Sequence, residues 1–190
     1  MAGRAAERQR MSTSVLLDTS FLISLVNEAR RHHSVATTYY RHMLAHGIPM
    51  YFSAIAAAEF AIKQPVFELP INNFRPLQFN IAHGQKSAQL WNALGMRDSG
   101  DPRAVVRDDV KLIAQASHEN VSHILTEDAS SLHKYCERLR TSGQISVRAI
   151  KLDDGFSATS LREDGQADWI GNPVEEGSLK DRSHDPDAEK

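Results

Sequence analysis

Residues 15–26, VLLDTSFLISLV, are apolar apart from Asp18-Thr19-Ser20 and Ser24. Such a stretch belongs inside a fold, covered from both faces, and that requirement limits the architectures open to the chain. A charge at its midpoint is costly to bury, so Asp18 must be hydrogen-bonded, ion-paired or bound to a metal. One reading has Asp18 ending a strand and capping the helix that follows. The other makes it a metal ligand.

The rest of the chain supplies the partners for that buried strand. SVLL (14–17), IPMYFS (48–53), VSHILT (121–126) and ISVRAIKL (145–152) read as strands. Between them lie helical stretches: from about Phe21, HSVATTYYRHMLAHG, AIAAAEFAIKQ, IAHGQKSAQLWNAL, AVVRDDVKLIAQASHEN and DASSLHKYCERLRTSG. Residues 66–80, with Pro70 and Pro76, read as irregular. Strands alternating with helices imply an α/β fold, a central parallel sheet with helices on both faces in three α/β/α layers.

At 190 residues the chain fits one domain with appendages. Residues 1–12 are expected to form a flexible leader, with Met11 as an alternative start, and 13–153 the domain. Residues 154–190, rich in charge, Gly and Pro, are expected to form an acidic disordered tail, with one docked turn at Trp169-Ile170. Residues 151–190 carry 11 acidic and 5 basic side chains, which leaves a net +4 on residues 1–150. A mildly basic body suits a polyanionic ligand. The single Cys136 excludes an internal disulfide framework and a cysteine-rich zinc site. No apolar run reaches the roughly 18 residues of a membrane span, and no signal-peptide core follows the basic start. A cytoplasmic protein without a membrane partner is expected.

Open α/β sheets bind ligands beyond the carboxyl ends of their strands. Asp18 and Asp128 both sit at such ends, where each could equally be a helix cap. Asp109 has Val105, Val106, Leu112 and Ile113 three and four residues away, which sets it in the apolar stripe of its helix. Asp108 lies about 100° round, beside Ala104, Lys111 and Gln115, on a more solvated face. Glu59 stands among Ile55, Ala56 and Ile62, with a surface pair to Lys63 as the structural alternative. Four carboxylates in one pocket would repel one another and raise their pKa values unless a cation neutralised them. Mg²⁺ takes oxygen ligands of this kind. It suits phosphodiester cleavage, where a metal activates water, orients the phosphate and stabilises the leaving oxygen.

These residues resemble a PIN-domain nuclease, the family that includes VapC-type toxin ribonucleases. The resemblance rests on LLDTSFLI, on FSAIAAAEF with Ser53 six residues before Glu59, on DDVKLIAQA and on ILTED, in order over about residues 14–150. It implies a catalytic and metal-binding set of Asp18, Glu59, Asp109 and Asp128, with Mg²⁺ or Mn²⁺ as cofactor. Thr19, Ser20, Thr126 and Ser130 would orient ligands or water through their hydroxyls, or act as simple caps. Ser130 stands where family members often have a further acid, which bears on a second metal position.

The implied function is a metal-dependent endoribonuclease acting on RNA, with the toxin half of a toxin–antitoxin pair as one form of it. An antitoxin protein and a homodimeric partner are then expected. The long tail leaves a processing or repair nuclease as another form. The alternative is a catalytically silent PIN-like module that binds RNA or protein. A phospho-accepting receiver fits poorly, because VLLDTS supplies one acid where that fold wants adjacent ones. His42 and His46 lack an evident third zinc ligand, and neither a phosphate-binding glycine loop nor a nucleophile elbow is present.

Overall fold

The computed structural model describes residues 13–162. The leader and the turn expected at Trp169-Ile170 lie outside them. Among the described residues, five strands form one sheet: β1 (Val15–Leu17), β2 (Met50–Ser53), β3 (Arg75–Leu77), β4 (His123–Thr126) and β5 (Arg148–Lys151). Their order is β3-β2-β1-β4-β5, and every pairing is parallel. Six α-helices cover it: α1 (Thr19–Val26), α2 (His33–Ala45), α3 (Ala54–Lys63), α4 (Ile81–Leu94), α5 (Arg103–His118) and α6 (Leu132–Thr141). The three-layer α/β/α architecture expected from the sequence is the one observed.

Period-two alternation along the strands divides the core in two. Val15, Leu17 and Leu125 join Phe21, Leu22, Tyr39, Met43, Ala56 and Phe60 from α1, α2 and α3. Leu16 and Ile124 point the other way, onto Leu90, Val106, Val110, Ile113, Tyr135 and Leu139 from α4, α5 and α6. Because β1 is central and feels apolar side chains on both faces, its three residues have no polar position at all. None of the helices among the described residues is long and apolar enough to cross a membrane.

Two expectations need correction. Residues 66–80 are not irregular throughout: Arg75-Pro76-Leu77 pairs with Tyr51-Phe52-Ser53 as β3. A three-residue strand containing proline carries almost no sequence signal, and proline is tolerated there because β3 is an edge. The packed body also runs past 153. After a 3₁₀ turn at Leu152–Asp154, a second at Ala158–Leu161 returns to the core. Leu161 is buried, the Thr13 hydroxyl donates to its carbonyl oxygen at 3.0 Å, and Phe156 packs edge-on against Tyr39 at 4.9 Å. One apolar anchor after a polar turn escapes a reading based on periodicity. Leu161→Ala is therefore expected to lower stability by about 2–5 kcal/mol, as large-to-small core changes do, measurable by urea unfolding.

Candidate active site

The parallel arrangement brings the carboxyl ends of β1, β2 and β4 to one end of the sheet. There Asp18, Glu59, Asp109 and Asp128 line a single cleft of about 590 Å³. All four acids named from the sequence are brought together.

Asp18 follows β1 directly and is the N-cap of α1, where its Oδ2 accepts from the Ser20 amide at 3.3 Å. The same oxygen accepts from the Ser20 hydroxyl at 2.5 Å and the Thr126 hydroxyl at 2.8 Å. Cap and cleft residue are thus one side chain, and the two readings of Asp18 do not compete. Burial nonetheless pushes its pKa above the ordinary value, with those hydrogen bonds opposing the shift.

Asp128 follows β4 by two residues. Its Oδ1 accepts from the Ser130 amide and hydroxyl, both at 2.7 Å, and from the Ser131 amide at 2.9 Å, while Oδ2 accepts from the Ser131 hydroxyl. Burial pushes this carboxyl up, but the serine donors outweigh it and hold it below the usual range. Thr126 links the two strand ends, since its Oγ1 donates to Asp18 and accepts from the Asp128 amide at 2.9 Å.

Glu59 projects from α3, where the Thr19 hydroxyl donates to Oε2 at 2.6 Å. Partial burial raises its pKa, and Asp18 and Asp108 raise it further. The helix is set by Ser53, whose Oγ accepts from the Ile55 amide at 3.0 Å and donates to Gln115 Oε1 at 2.6 Å. Gln115 in turn donates to the carbonyls of Leu77 and Gln78 at 3.2 and 3.1 Å. One buried amide therefore fixes α3, β3 and α5 relative to one another.

Asp109 is the fourth acid. It is buried on the inner face of α5, and its Oδ2 has no hydrogen-bond partner. Burial comes first among the causes that push its pKa up to about 7, and the charges of Asp128, Asp18 and Glu59 add to it. Asp108 also lines the cleft, but at its half-open rim, ion-paired to Lys111 at 2.7 Å. Its helix face is less solvated than the sequence implied, because Gln115 on that face is buried.

The four hydroxyls named from the sequence, Thr19, Ser20, Thr126 and Ser130, each hold an acid in place. Ser131 and Gln115 were not foreseen, although the short DASS segment signals an Asp-centred turn. Arg30 was also missed. It lines the cleft mouth with Lys63 and Asn27, tethered to Glu127, which further accepts from His32 and Ser24.

An all-oxygen set containing a buried carboxylate oxygen without a hydrogen-bond partner fits a hard cation. The carboxylates stand apart: among the described residues, the one trio with ligand atoms all within 4.8 Å is elsewhere, at His83, His118 and Glu119. Spacing alone makes that trio a zinc candidate, but its chemistry does not. The Asn80 amide donates to His83 Nδ1 at 3.0 Å, so Nε2 carries the hydrogen and donates to Glu119 at 2.7 Å. The nitrogen facing the other two ligands has no free lone pair.

Thr126→Val keeps the shape of the side chain while removing the donor to Asp18 and the acceptor for Asp128. If the cleft holds a divalent cation, its binding is expected to weaken roughly 10–100-fold, as loss of a ligand-orienting group does, measurable by calorimetric titration of the folded variant with Mg²⁺.

No family model matches the sequence, and no curated protein matches it. Solved structures do resemble it. The crystal structure of FitAcB from Neisseria gonorrhoeae aligns with a TM-score of 0.51 at 16% identity, over 73% of this chain and 97% of that one. That of VapBC2 from Rickettsia felis, bound to a DNA fragment from their promoter, aligns at 0.50 and 11% identity, over 73% and 98%. The likeness is one of fold, that of a VapC-like PIN domain.

Proposed function

We propose that this chain is a Mg²⁺- or Mn²⁺-dependent endoribonuclease that hydrolyses RNA phosphodiesters in the acidic cleft. The observation that supports this most is Asp109: a buried carboxylate with an unpartnered oxygen, facing three other acids. Nothing in ordinary fold stability calls for such a group, whereas a cation does.

Asp18, Glu59, Asp109 and Asp128 would hold the ion, directly or through its waters. When bound, it supplies Lewis-acid activation of water and neutralises charge at the phosphate and the leaving oxygen. The chain's own groups prepare that chemistry. Ser20 and Thr126 fix Asp18, the Ser130–Ser131 turn fixes Asp128 in its ionised form, and Thr19 fixes Glu59. Asp109, whose carboxyl burial pushes up to about 7, would have to release its proton to serve as a ligand. Arg30 and Lys63 at the mouth offset the repulsion that a polyanion would meet there.

The fold it shares with VapBC2 and FitAcB is compatible with the toxin half of a toxin–antitoxin pair, restrained by a protein antitoxin and acting in the cytoplasm. The test is cleavage of an RNA panel by the purified chain with Mg²⁺, with Mn²⁺ and with chelator. Cleavage that requires the metal is expected. Its absence under every divalent metal would leave the non-cutting RNA- or protein-binding module as the better reading.

A further inference from the structure

On the face of α5 next to the one that lines the acidic cleft lies a second depression, of about 340 Å³, lined by Phe79, Trp91, Arg103, Arg107 and Lys111. We infer that it is a subsite for single-stranded RNA, which stacks a base against the aromatic pair and sets flanking phosphates on the three cations. The inference rests on the nuclease reading of the cleft for its biological meaning, but not for its physical test.

The sequence builds this surface by spacing. Arg103, Arg107 and Lys111 recur every four residues and so share one face of α5. Ala104 and Asp108, one residue on from the first two, share the next face and line the acidic cleft. One helix thus carries an acidic wall and a basic wall side by side. The two depressions adjoin, since Asp108 of the cleft is bonded to Lys111 of the basic face at 2.7 Å and approaches Arg107 at 4.0 Å. A chain leaving the cleft over this helix meets cations at once.

The aromatic component separates a nucleic acid from any other polyanion. Trp91 and Phe79 are both only partly buried, and the Arg103 guanidinium lies 5.8 Å from the Trp91 ring centre. Aromatic rings beside guanidinium groups along a basic groove are the means by which proteins hold unpaired bases without reading them. A duplex keeps its bases stacked on one another and could not use such rings. The depression also suits one nucleotide better than a helix.

The experiment measures binding in chelator, where no cleavage occurs. A Trp169→Phe background leaves Trp91 as the sole tryptophan of the two in the chain. Short oligoadenosine RNA should quench Trp91 fluorescence saturably. In anisotropy titrations with the labelled oligomer, Trp91→Leu, which keeps an apolar side chain against the core, should weaken binding about ten-fold, within the range for losing one stacked base. Trp91→Phe should restore most of it. Arg103→Gln/Arg107→Gln, both exposed, should flatten the dependence of log affinity on log salt by about 1.4, at about 0.7 per phosphate contact on a single strand.

Unquenched Trp91 at saturating RNA, or equal affinity in the Leu and Phe variants, would overturn the subsite. So would competition by polyglutamate as effective as that by the RNA, which would mean a site for acidic polymers. Metal-dependent cleavage without quenching would remove the subsite and keep the nuclease. Quenching without cleavage under any metal would do the reverse.

Discussion

Asp109→Asn should fold normally and lose metal-dependent RNA cleavage, by more than the roughly 10–100-fold that removal of an outer-shell partner costs. Asn has nearly the shape of Asp but brings no negative charge to a hard cation. Asp18→Asn should behave likewise: its amide oxygen can still cap α1, so fold and activity separate. Asp108→Asn is the internal control. Its carboxylate sits at the rim and is neutralised by Lys111, so most activity should survive. The measurement is cleavage by each purified variant, with circular dichroism as the folding check. An active Asp18→Asn would remove Asp18 from the chemistry. An inactive Asp108→Asn beside an active Asp109→Asn would shift the site one residue along α5.

The second large effect is on stability without metal. Asp109 titrates near 7 in the folded chain against an ordinary 3.8. The folded state therefore holds this proton more tightly than the unfolded state, and stability falls as pH rises through 7. The gap corresponds to at most on the order of 4 kcal/mol, which local relaxation reduces. In chelator, wild-type Tm should thus decline from pH 4 to pH 8, while Asp109→Asn lacks this contribution and overtakes the wild type by several degrees at pH 8. Near pH 4 the two should converge. Mg²⁺ should reverse the order at pH 8 by raising the wild-type Tm alone. Parallel curves with and without metal would mean that Asp109 neither suffers the repulsion nor binds the ion.

Much of this was legible in the residues because burial leaves a strong pattern. A strand apolar on both faces, as in VLL, must be central, and an acid in the stripe of α5 must point inward. The hydroxyls beside the acids could be read too, since Ser and Thr near Asp have few other uses in a buried turn. What escaped depended on contacts distant in sequence. Gln115 bridges 62 residues to Ser53, and Arg30 reaches Glu127 across 97. No local spacing encodes either. Leu161 and β3 were missed for a different reason: each is too short to show a period, and their place is fixed by what they pack against.

Pro76 has a consequence for assembly. Among the described residues, β3 is the outermost strand on its side and pairs with β2 alone. The middle of its three residues has no amide hydrogen to offer a neighbour. This edge therefore makes a poor template, and a second copy cannot readily extend the sheet there by adding a strand. If the chain forms a homodimer, the two copies should meet on this side through helices or turns, where side chains rather than backbone set the register. Such an association can be tuned, or abolished, by single surface substitutions that leave the sheet and the acidic cleft unchanged.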